Sequence, residues 1–385
     1  MTQNRIQESS VGIIQEHFGG GRARVVIAMV ELLNKWGVVP DIYTFTKIDQ
    51  ELIKERFGKE VDFKTVEVRD YIGRRFGAYK TAYLNYLVRK NENQYDLLFN
   101  SGDSLLFLPR NTPTINYVHF PDLGELKEKA RGSVLKRLYY LPLSVMYRAS
   151  DLSRTTIVAN SGYTKDHIEN CFGKDNIKEV KVIYPPVDID KFWSESLHRR
   201  DWVTTIGRFG KGDLEGEGGG QLTQIEIARE LPQLTFKIVG GVSTKQSERY
   251  YNRCESYIRN KDINNVDLKP NLPFDELRKV LAKSKYFLHT RPHEHFGIST
   301  VEAIAAGAIP VVPNSGGQKE IVTDRSFRFD DKMKAMKILK NLKESPLAEL
   351  RKVLQDQILR FRSDEFKRQI AQLVRSVDRE VESTS

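Results

Sequence analysis

Short runs of β-branched and apolar residues alternate with helix-period stretches along most of the chain. This alternation limits the fold more than any other feature. Residues 11–14, 41–46, 65–68, 97–100, 115–119, 155–159 and 181–184 read as strands. After a break, residues 202–206, 235–239, 266–268, 286–289 and 309–312 do the same. Helical periodicity fills most of the intervals, as at 23–36, 79–90 and 298–306. Strands separated by helices pair in parallel, because each return to the sheet runs through a helix packed on one of its faces. The pattern therefore predicts an α/β chain of two doubly wound, Rossmann-like domains. The break, 184–200, contains Pro185-Pro186, which cannot continue a strand ladder and stiffens the chain, as suits a hinge. The predicted boundaries are 1–186 for the first domain and 187–365 for the second, with a terminal helix at 366–385 that crosses back to the first. In such folds ligands bind beyond the carboxyl ends of the strands. Two such domains facing each other would offer a cleft lined by loops from both.

Composition removes several classes. The chain has 385 residues, enough for two cores. Cys171 and Cys254 are its only cysteines and lie far apart. That excludes a disulfide scaffold and a cysteine-based zinc site, and fits a reducing compartment. Apolar runs such as 25–30 and 303–312 fall short of the roughly 18–20 residues needed to cross a bilayer. Residues 1–10 lack the apolar core of a signal peptide. A cytoplasmic location is expected.

Lys and Arg number 61 against 51 Asp and Glu, a formal charge of +10. Such a surplus suits nucleic acid, an anionic membrane or a small phosphorylated substrate. The charge is clustered. Between 71 and 90 lie Arg74, Arg75, Lys80, Arg89 and Lys90 with no acid. Between 126 and 150 lie Lys127, Lys129, Arg131, Lys136, Arg137 and Arg148 against Glu128 alone, interleaved with aromatic and aliphatic residues. A stretch of this kind either lies in an anionic membrane interface or is a core helix with a solvated basic face. Neither a continuous basic stripe nor a known nucleic-acid module is present, so nucleic acid is not an expected partner.

The chemistry concentrates in residues 291–322, RPHEHFGISTVEAIAAGAIPVVPNSGGQKEIV, which follow a strand and open a helix. Gly297 permits a tight turn, and Ser299 or Thr300 is placed to cap the helix. Free N–H groups in the first turn suit a diphosphate. Glu294 falls on the loop and Glu302 about one turn into the helix, and a carboxylate is a natural partner for a sugar diol. Either glutamate alone reads equally well as a surface or first-turn residue near a positive helix end. Asp188-Ile189-Asp190 has a metal-chelating form but sits in the hinge. His293 and His295 lack a third ligand in sequence, so no metal is expected.

The strings EHFGISTVE, AIAAGAIPVV and NSGG resemble the E-x7-E signature of the retaining GT-B glycosyltransferases of family 4, with residues 295–301 as the seven-residue interval. The resemblance implies two doubly wound Rossmann-like domains facing across a cleft, and a nucleotide-diphospho-sugar as co-substrate. It implies that Glu294 contacts the donor sugar and Glu302 the nucleotide ribose. Phe296, Gly297, Ile298, Ser299 and Thr300 would bind the donor, the amides of the last three at its diphosphate. The rest of the chain agrees. His17, Phe18, Gly19, Gly20 and Gly21 resemble the glycine loop against donor diphosphate and acceptor, although a bare glycine run also reads as a simple turn. His119, at a strand end, corresponds to a donor-sugar contact and taken alone is equally a structural histidine. Ser161 resembles a helix cap near the cleft, and IYPPVDIDKF at 183–192 the interdomain crossing. Gly207-Arg208 resembles the opening of the donor domain, with Arg208 neutralising the leaving diphosphate. Gly240-Gly241 resembles the loop near base and phosphate. The family's lysine normally follows the arginine by several residues. Here Lys211 follows by three and precedes a glycine-rich insertion, which leaves its role open.

Together these features predict a glycosyltransferase. Mannose from GDP-mannose is favoured as donor, UDP-sugars come second, and the acceptor is a lipid-linked or other glycan. The two basic clusters would place the protein peripherally at the cytoplasmic face of a membrane. The alternatives are a non-catalytic nucleotide-sugar-binding subunit of the same fold and a basic nucleic-acid-binding protein.

Overall fold

The computed structural model describes residues 8–72, 79–123, 134–196, 198–210, 220–343 and 347–384. The chain forms two compact units, one of Met1–Pro186 with Ser363–Ser385, the other of Val187–Arg362. The first crossing falls directly after Pro185-Pro186. The second falls three residues before the expected 365, because the terminal helix already begins at Ser363.

The first unit contains a parallel sheet of β1 (Val11–Ile14), β2 (Asp41–Thr44), β3 (Lys64–Glu67), β4 (Leu97–Asn100), β5 (Thr114–Val118), β6 (Thr156–Ala159) and β7 (Val180–Val182), in the order β3-β2-β1-β4-β5-β6-β7. The second contains β8 (Arg200–Ile206), β9 (Thr235–Gly240), β10 (Val266–Pro270), β11 (Ser284–Leu288), β12 (Ile309–Pro313) and β13 (Arg328–Phe329), in the order β10-β9-β8-β11-β12-β13. All twelve expected strands form, β1 and β4 with the expected bounds and the other ten with shifted ends. The unexpected one, β13, is two residues long, too short to show an alternation.

Seven helices bear on function: α1 (Gly20–Lys35), α2 (Lys80–Lys90), α3 (Val134–Arg148), α4 (Gly162–Phe172), α5 (Gln221–Arg229), α6 (Ile298–Ala305) and α7 (Ser363–Thr384). Helix α1 is apolar almost all round, with Val25 to Val30 buried, so it lies inside its unit. Helix α7 belongs to the first unit although its sequence follows the second. Its apolar stripe, Phe366, Ile370, Leu373, Val374 and Val377, joins the core of β1 and α1. The half-buried Glu31 of α1 ties it there, bonding Lys367 at 2.7 Å and Lys59 at 2.8 Å.

The strand order fixes where loops can converge. It reverses between β1 and β4 in the first sheet and between β8 and β11 in the second. At such a point the chains leave neighbouring strands toward opposite faces, and a crevice opens at their carboxyl ends. Most motifs singled out in the sequence lie at these ends or beside them.

Candidate active site

In the first unit, β1 leads into Glu16 and His17. Glu16 accepts from the Thr81 hydroxyl and lies 3.1 Å from His17 Nε2. Burial pushes the Glu16 carboxyl up, but the bonds from His17 and Thr81 outweigh it and hold the group below its ordinary value. The same bond holds His17 above its ordinary value. Gly20 then takes the left-handed conformation, φ +59°, at the start of α1. A Cβ on Gly20 would meet nothing within 4 Å, so the glycine is required by backbone conformation, not by a close neighbour. Gly21 is the second residue of α1 and is exposed.

His119 follows β5 and is 8% exposed. Its Nε2 lies 3.1 Å from Ser101 Oγ, and its carbonyl accepts from the Thr164 hydroxyl at 3.2 Å. The key to this corner is Asp103, which sequence reasoning missed. Asp103 is 3% exposed. Its Oδ1 accepts the backbone N–H groups of His119 at 2.9 Å and Phe120 at 3.1 Å, and its Oδ2 pairs with Arg22 of α1. One carboxylate thus fixes the ends of β4 and β5 and the first turn of α1. The signal was there: Ser101-Gly102-Asp103 follows β4 at the switch point. Ser161 caps α4 by accepting from Thr164 N at 3.1 Å.

In the second unit, Gly207 and Arg208 follow β8. Arg208 is exposed. Gly207 N donates to Val239 O at 3.0 Å and Phe209 N to Gly241 O at 3.1 Å, which presses this loop onto the end of β9. A Cβ on Gly240 would collide with the Gly207 carbonyl oxygen and the Phe209 ring, whereas one on Gly241 would reach only ordinary contact, 3.8 Å from Arg208 Cγ. Lys211 and residues 212–219 of the glycine-rich insertion lie outside the described residues.

Glu294 and the start of α6 form the densest part. Gly297 has φ +113° and is the residue before the first helical one. The structure corrects the expected cap: neither Ser299 nor Thr300 caps α6. Gly297 occupies that position without a side chain, and the Thr300 hydroxyl is drawn instead to Gln318 Oε1 at 2.8 Å. Thr300 N turns back to Gly297 O, leaving the preceding amides of Ile298 and Ser299 to face outward from the helix end. Phe296 is buried against Phe361. Glu302 is 4% exposed, which excludes the surface reading of that residue. Glu294 sits before the helix with its side chain 31% exposed. Its carbonyl accepts Gly317 N at 2.8 Å. A Cβ on Gly316 would fall against the Glu294 backbone, 2.8 Å from its nitrogen, and one on Gly317 2.8 Å from Phe296 Cα. The glycines of NSGG therefore let that loop lie flat on the Glu294–Phe296 backbone.

His289, at the end of β11, is 9% exposed, and its Nε2 has no hydrogen-bond partner among the described residues. Glu294 Oε2 lies 3.9 Å away. Burial holds the imidazole below its ordinary value, against the pull of the Glu294 charge. A cavity of about 240 Å³ lies near the same strand ends, lined by Thr290, His293, Asn314, Ser315, Asp330 and Lys332 among others. Its walls include neither glutamate nor Arg208, so it adjoins the site without being its centre. Among the described residues no group of three or more His, Cys, Asp or Glu could hold a metal. Asp190 of the DID string pairs with Arg362 at 3.1 Å, and Asp188 lies 3.8 Å from Lys191.

Two family models match adjoining stretches: Glycosyltransferase Family 4 over residues 19–191 and Glycosyl transferases group 1 over residues 220–368. The chain belongs to the family 4, group 1 glycosyltransferases. Among curated relatives, the GDP-Man:Man(3)GlcNAc(2)-PP-Dol alpha-1,2-mannosyltransferase of Homo sapiens is 28% identical over 231 residues, 53% of this chain and 46% of that protein. The alpha-1,3/1,6-mannosyltransferase alg2 of Schizosaccharomyces pombe is 25% identical over 237 residues, 54% of this chain and 46% of that protein. The matched region thus spans about half the length of these relatives. Among solved structures, the sucrose-phosphate synthase of Thermosynechococcus elongatus superposes with a TM-score of 0.73 at 15% identity, covering 97% of this chain and all of that one. Anabaena HepE, solved with UDP and glucose, gives 0.70 at 17% identity, covering 96% of this chain and all of that one. These likenesses show the fold, GT-B with its two Rossmann-like domains.

Proposed function

We propose that this chain is a retaining glycosyltransferase that moves mannose from GDP-mannose to a lipid-linked glycan, with UDP-sugars as the second choice of donor. The observation that carries the reading is the arrangement at α6. Glu294 and the buried Glu302 bracket a helix start whose first amides face outward, at the carboxyl ends of β11 and β12 beside the switch point. A helix start of this kind binds diphosphate through N–H groups and the helix dipole. The names of both curated relatives support the choice of mannose, and that of the Homo sapiens protein, with its GDP-Man and PP-Dol, supports the donor and a lipid-linked acceptor.

In this reading Glu302 accepts from the ribose hydroxyls, and Glu294 and His119 orient the donor sugar. The acceptor oxygen bonds to the anomeric carbon on the face that the diphosphate leaves. Its proton passes to the departing phosphate oxygen, and configuration is retained. Negative charge grows on that phosphate as the bond breaks. The Ile298 and Ser299 amides and Arg208 are assigned to meet it, because fixed donors aimed at developing charge lower a barrier by several kcal/mol or less, about 3–4 for a single good donor. Gly20 and Gly21 are assigned to the diphosphate side of the first unit, Gly241 to the base side of the second, and Lys211 to the diphosphate. Charge neutralisation by these groups replaces a metal. The protein would work in the cytoplasm at a membrane face, where its acceptor lies. No helix among the described residues is long and apolar enough to cross a membrane.

Thermal shift with GDP, UDP and ADP, against a duplex oligonucleotide, tests the reading. A ligand at 100 times its Kd stabilises by about 2.7 kcal/mol. GDP is expected to give the largest shift and the oligonucleotide none. Stabilisation by the oligonucleotide alone contradicts the reading.

A further inference from the structure

Helix α3 is fastened to its unit by one face. Leu143 and Tyr147 are 1% and 2% exposed. The Tyr147 hydroxyl lies 2.8 Å from Ser104 Oγ, and its ring meets Phe172 edge-on. The opposite face is also apolar. Val134, Leu138, Leu141 and Val145 are 70%, 61%, 55% and 55% exposed. Their spacing of four, three and four residues places them within an arc of about 60° of the helix, turned roughly 180° from Leu143 and Tyr147. Leu135, 80% exposed, stands at the edge of this seam. The sequence left two readings for this segment, and the exposed side of the helix carries features of both: this apolar seam and, beside it, Lys136, Arg137 and Arg148. A single exposed leucine is ordinary, whereas two leucines and two valines in register on the outer side of one helix form a surface of the kind that another phase or partner covers.

The charges beside the seam select the occupant. Residues 134–148 contain Lys136, Arg137 and Arg148 and no acid. Arg137 and Arg148 are exposed and fall on the same flank of the seam. A second copy docking through this face about a two-fold axis would bring arginines to arginines with no carboxylate on the helix to answer them. An anionic bilayer answers both features, since its acyl boundary takes the seam and its phosphates take the arginines. The helix has 15 residues, too few to span and suited to lying flat. The other basic cluster offers no comparable surface among the described residues. Lys80 is buried and paired with Asp70, and Lys90 lies over the Tyr86 ring at 4.7 Å. Arg74 and Arg75, like Lys127, Lys129 and Arg131, lie outside the described residues.

We propose that the outward seam of α3 docks the first unit on an anionic lipid surface, with Leu138 and Leu141 at the centre of the buried patch and Arg137 and Arg148 on lipid phosphates. The choice of a membrane as occupant rests on the lipid-linked acceptor of the function proposed above. Flotation with phosphatidylcholine vesicles, with and without phosphatidylserine, tests it on the full chain, its Leu138→Glu/Leu141→Glu variant and its Arg137→Gln/Arg148→Gln variant. The wild type is expected to float with the phosphatidylserine vesicles. The leucine variant is expected to lose at least tenfold in binding with an unchanged Tm, since these side chains face away from the unit's core. The arginine variant is expected to lose the preference for phosphatidylserine. No flotation of the wild type, or equal flotation of wild type and leucine variant, overturns the proposal. So does a wild-type dimer in sedimentation that the leucine variant dissolves, which makes a second copy the occupant. Donor hydrolysis in solution separates the two readings. Hydrolysis without flotation overturns docking alone, and flotation with no hydrolysis of any nucleotide sugar overturns the function alone.

Discussion

Glu294 owes its position to two glycines more than twenty residues further along. Gly316 has φ +67°, and any Cβ there presses on the Glu294 backbone. Gly316→Ala is therefore expected to move Glu294, and a misplacement of about 1 Å costs on the order of 100-fold in rate. Lys319→Ala, at an exposed position three residues further on, is expected to change kcat/KM by about twofold or less. Equal rates for the two variants in sugar transfer contradict this account of the loop. The histidines give a second residue-scale expectation. His289 is held neutral by burial, so between its folded value and about 6.5 the unfolded chain binds a proton that the folded chain refuses. Stability from this group is present above about pH 6.5 and is lost as pH falls below it. His17 has the opposite sign: its bond to Glu16 stabilises fully below about pH 6.5, and that contribution is lost as pH rises through its raised folded value. His289→Gln is expected to flatten the acid side of a Tm–pH profile. A variant profile that follows the wild type below pH 6.5 sinks the assignment.

Elements show why some of this could be read in advance and some could not. Glu294, Gly297 and Glu302 lie within nine residues, so their spacing carries their geometry. Asp103 acts on His119, Phe120 and Arg22, and no local pattern joins positions so far apart. Gln318 likewise reaches Thr300 only because α6 and the short helix Gln318–Ile321 that follows β12 come together, and this contact took Thr300 away from the expected cap. Helix α7 was legible as a helix from its charge and periodicity, and its five buried apolar residues show the stripe that returns it to the first core. Helix α3 was legible as amphipathic but not as doubly apolar, because sequence does not say which face is covered. Asp103→Ala tests the link between elements. It leaves two buried N–H groups unpaired at about 1–3 kcal/mol each. A loss of stability is expected together with at least a tenfold drop in kcat/KM. Wild-type kcat/KM in a destabilised variant would show that Asp103 is structural only.

At the scale of the molecule, the surplus of positive charge no longer has a single explanation. Arg208 is assigned to a diphosphate. Arg22 is spent inside the first unit on Asp103, Lys59 and Lys367 on Glu31, and Lys80 on Asp70. Arg137 and Arg148 flank an apolar seam. None of these arrangements needs nucleic acid. Both units follow one rule, in which the chemistry-bearing side chains gather where the strand order reverses. That rule places the arrangement at α6, which carries the proposal that the chain moves a hexose from a nucleotide-diphospho-sugar. The most direct test is slow donor hydrolysis across a panel of nucleotide sugars, followed by mass spectrometry, which needs no acceptor. The full chain is expected to release mannose and GDP from GDP-mannose faster than it cleaves any UDP-sugar, and Glu294→Ala, while still folded, is expected to lose on the order of 100-fold. Absence of hexose release from every donor, or a folded Glu294→Ala variant with the wild-type rate, contradicts the claim.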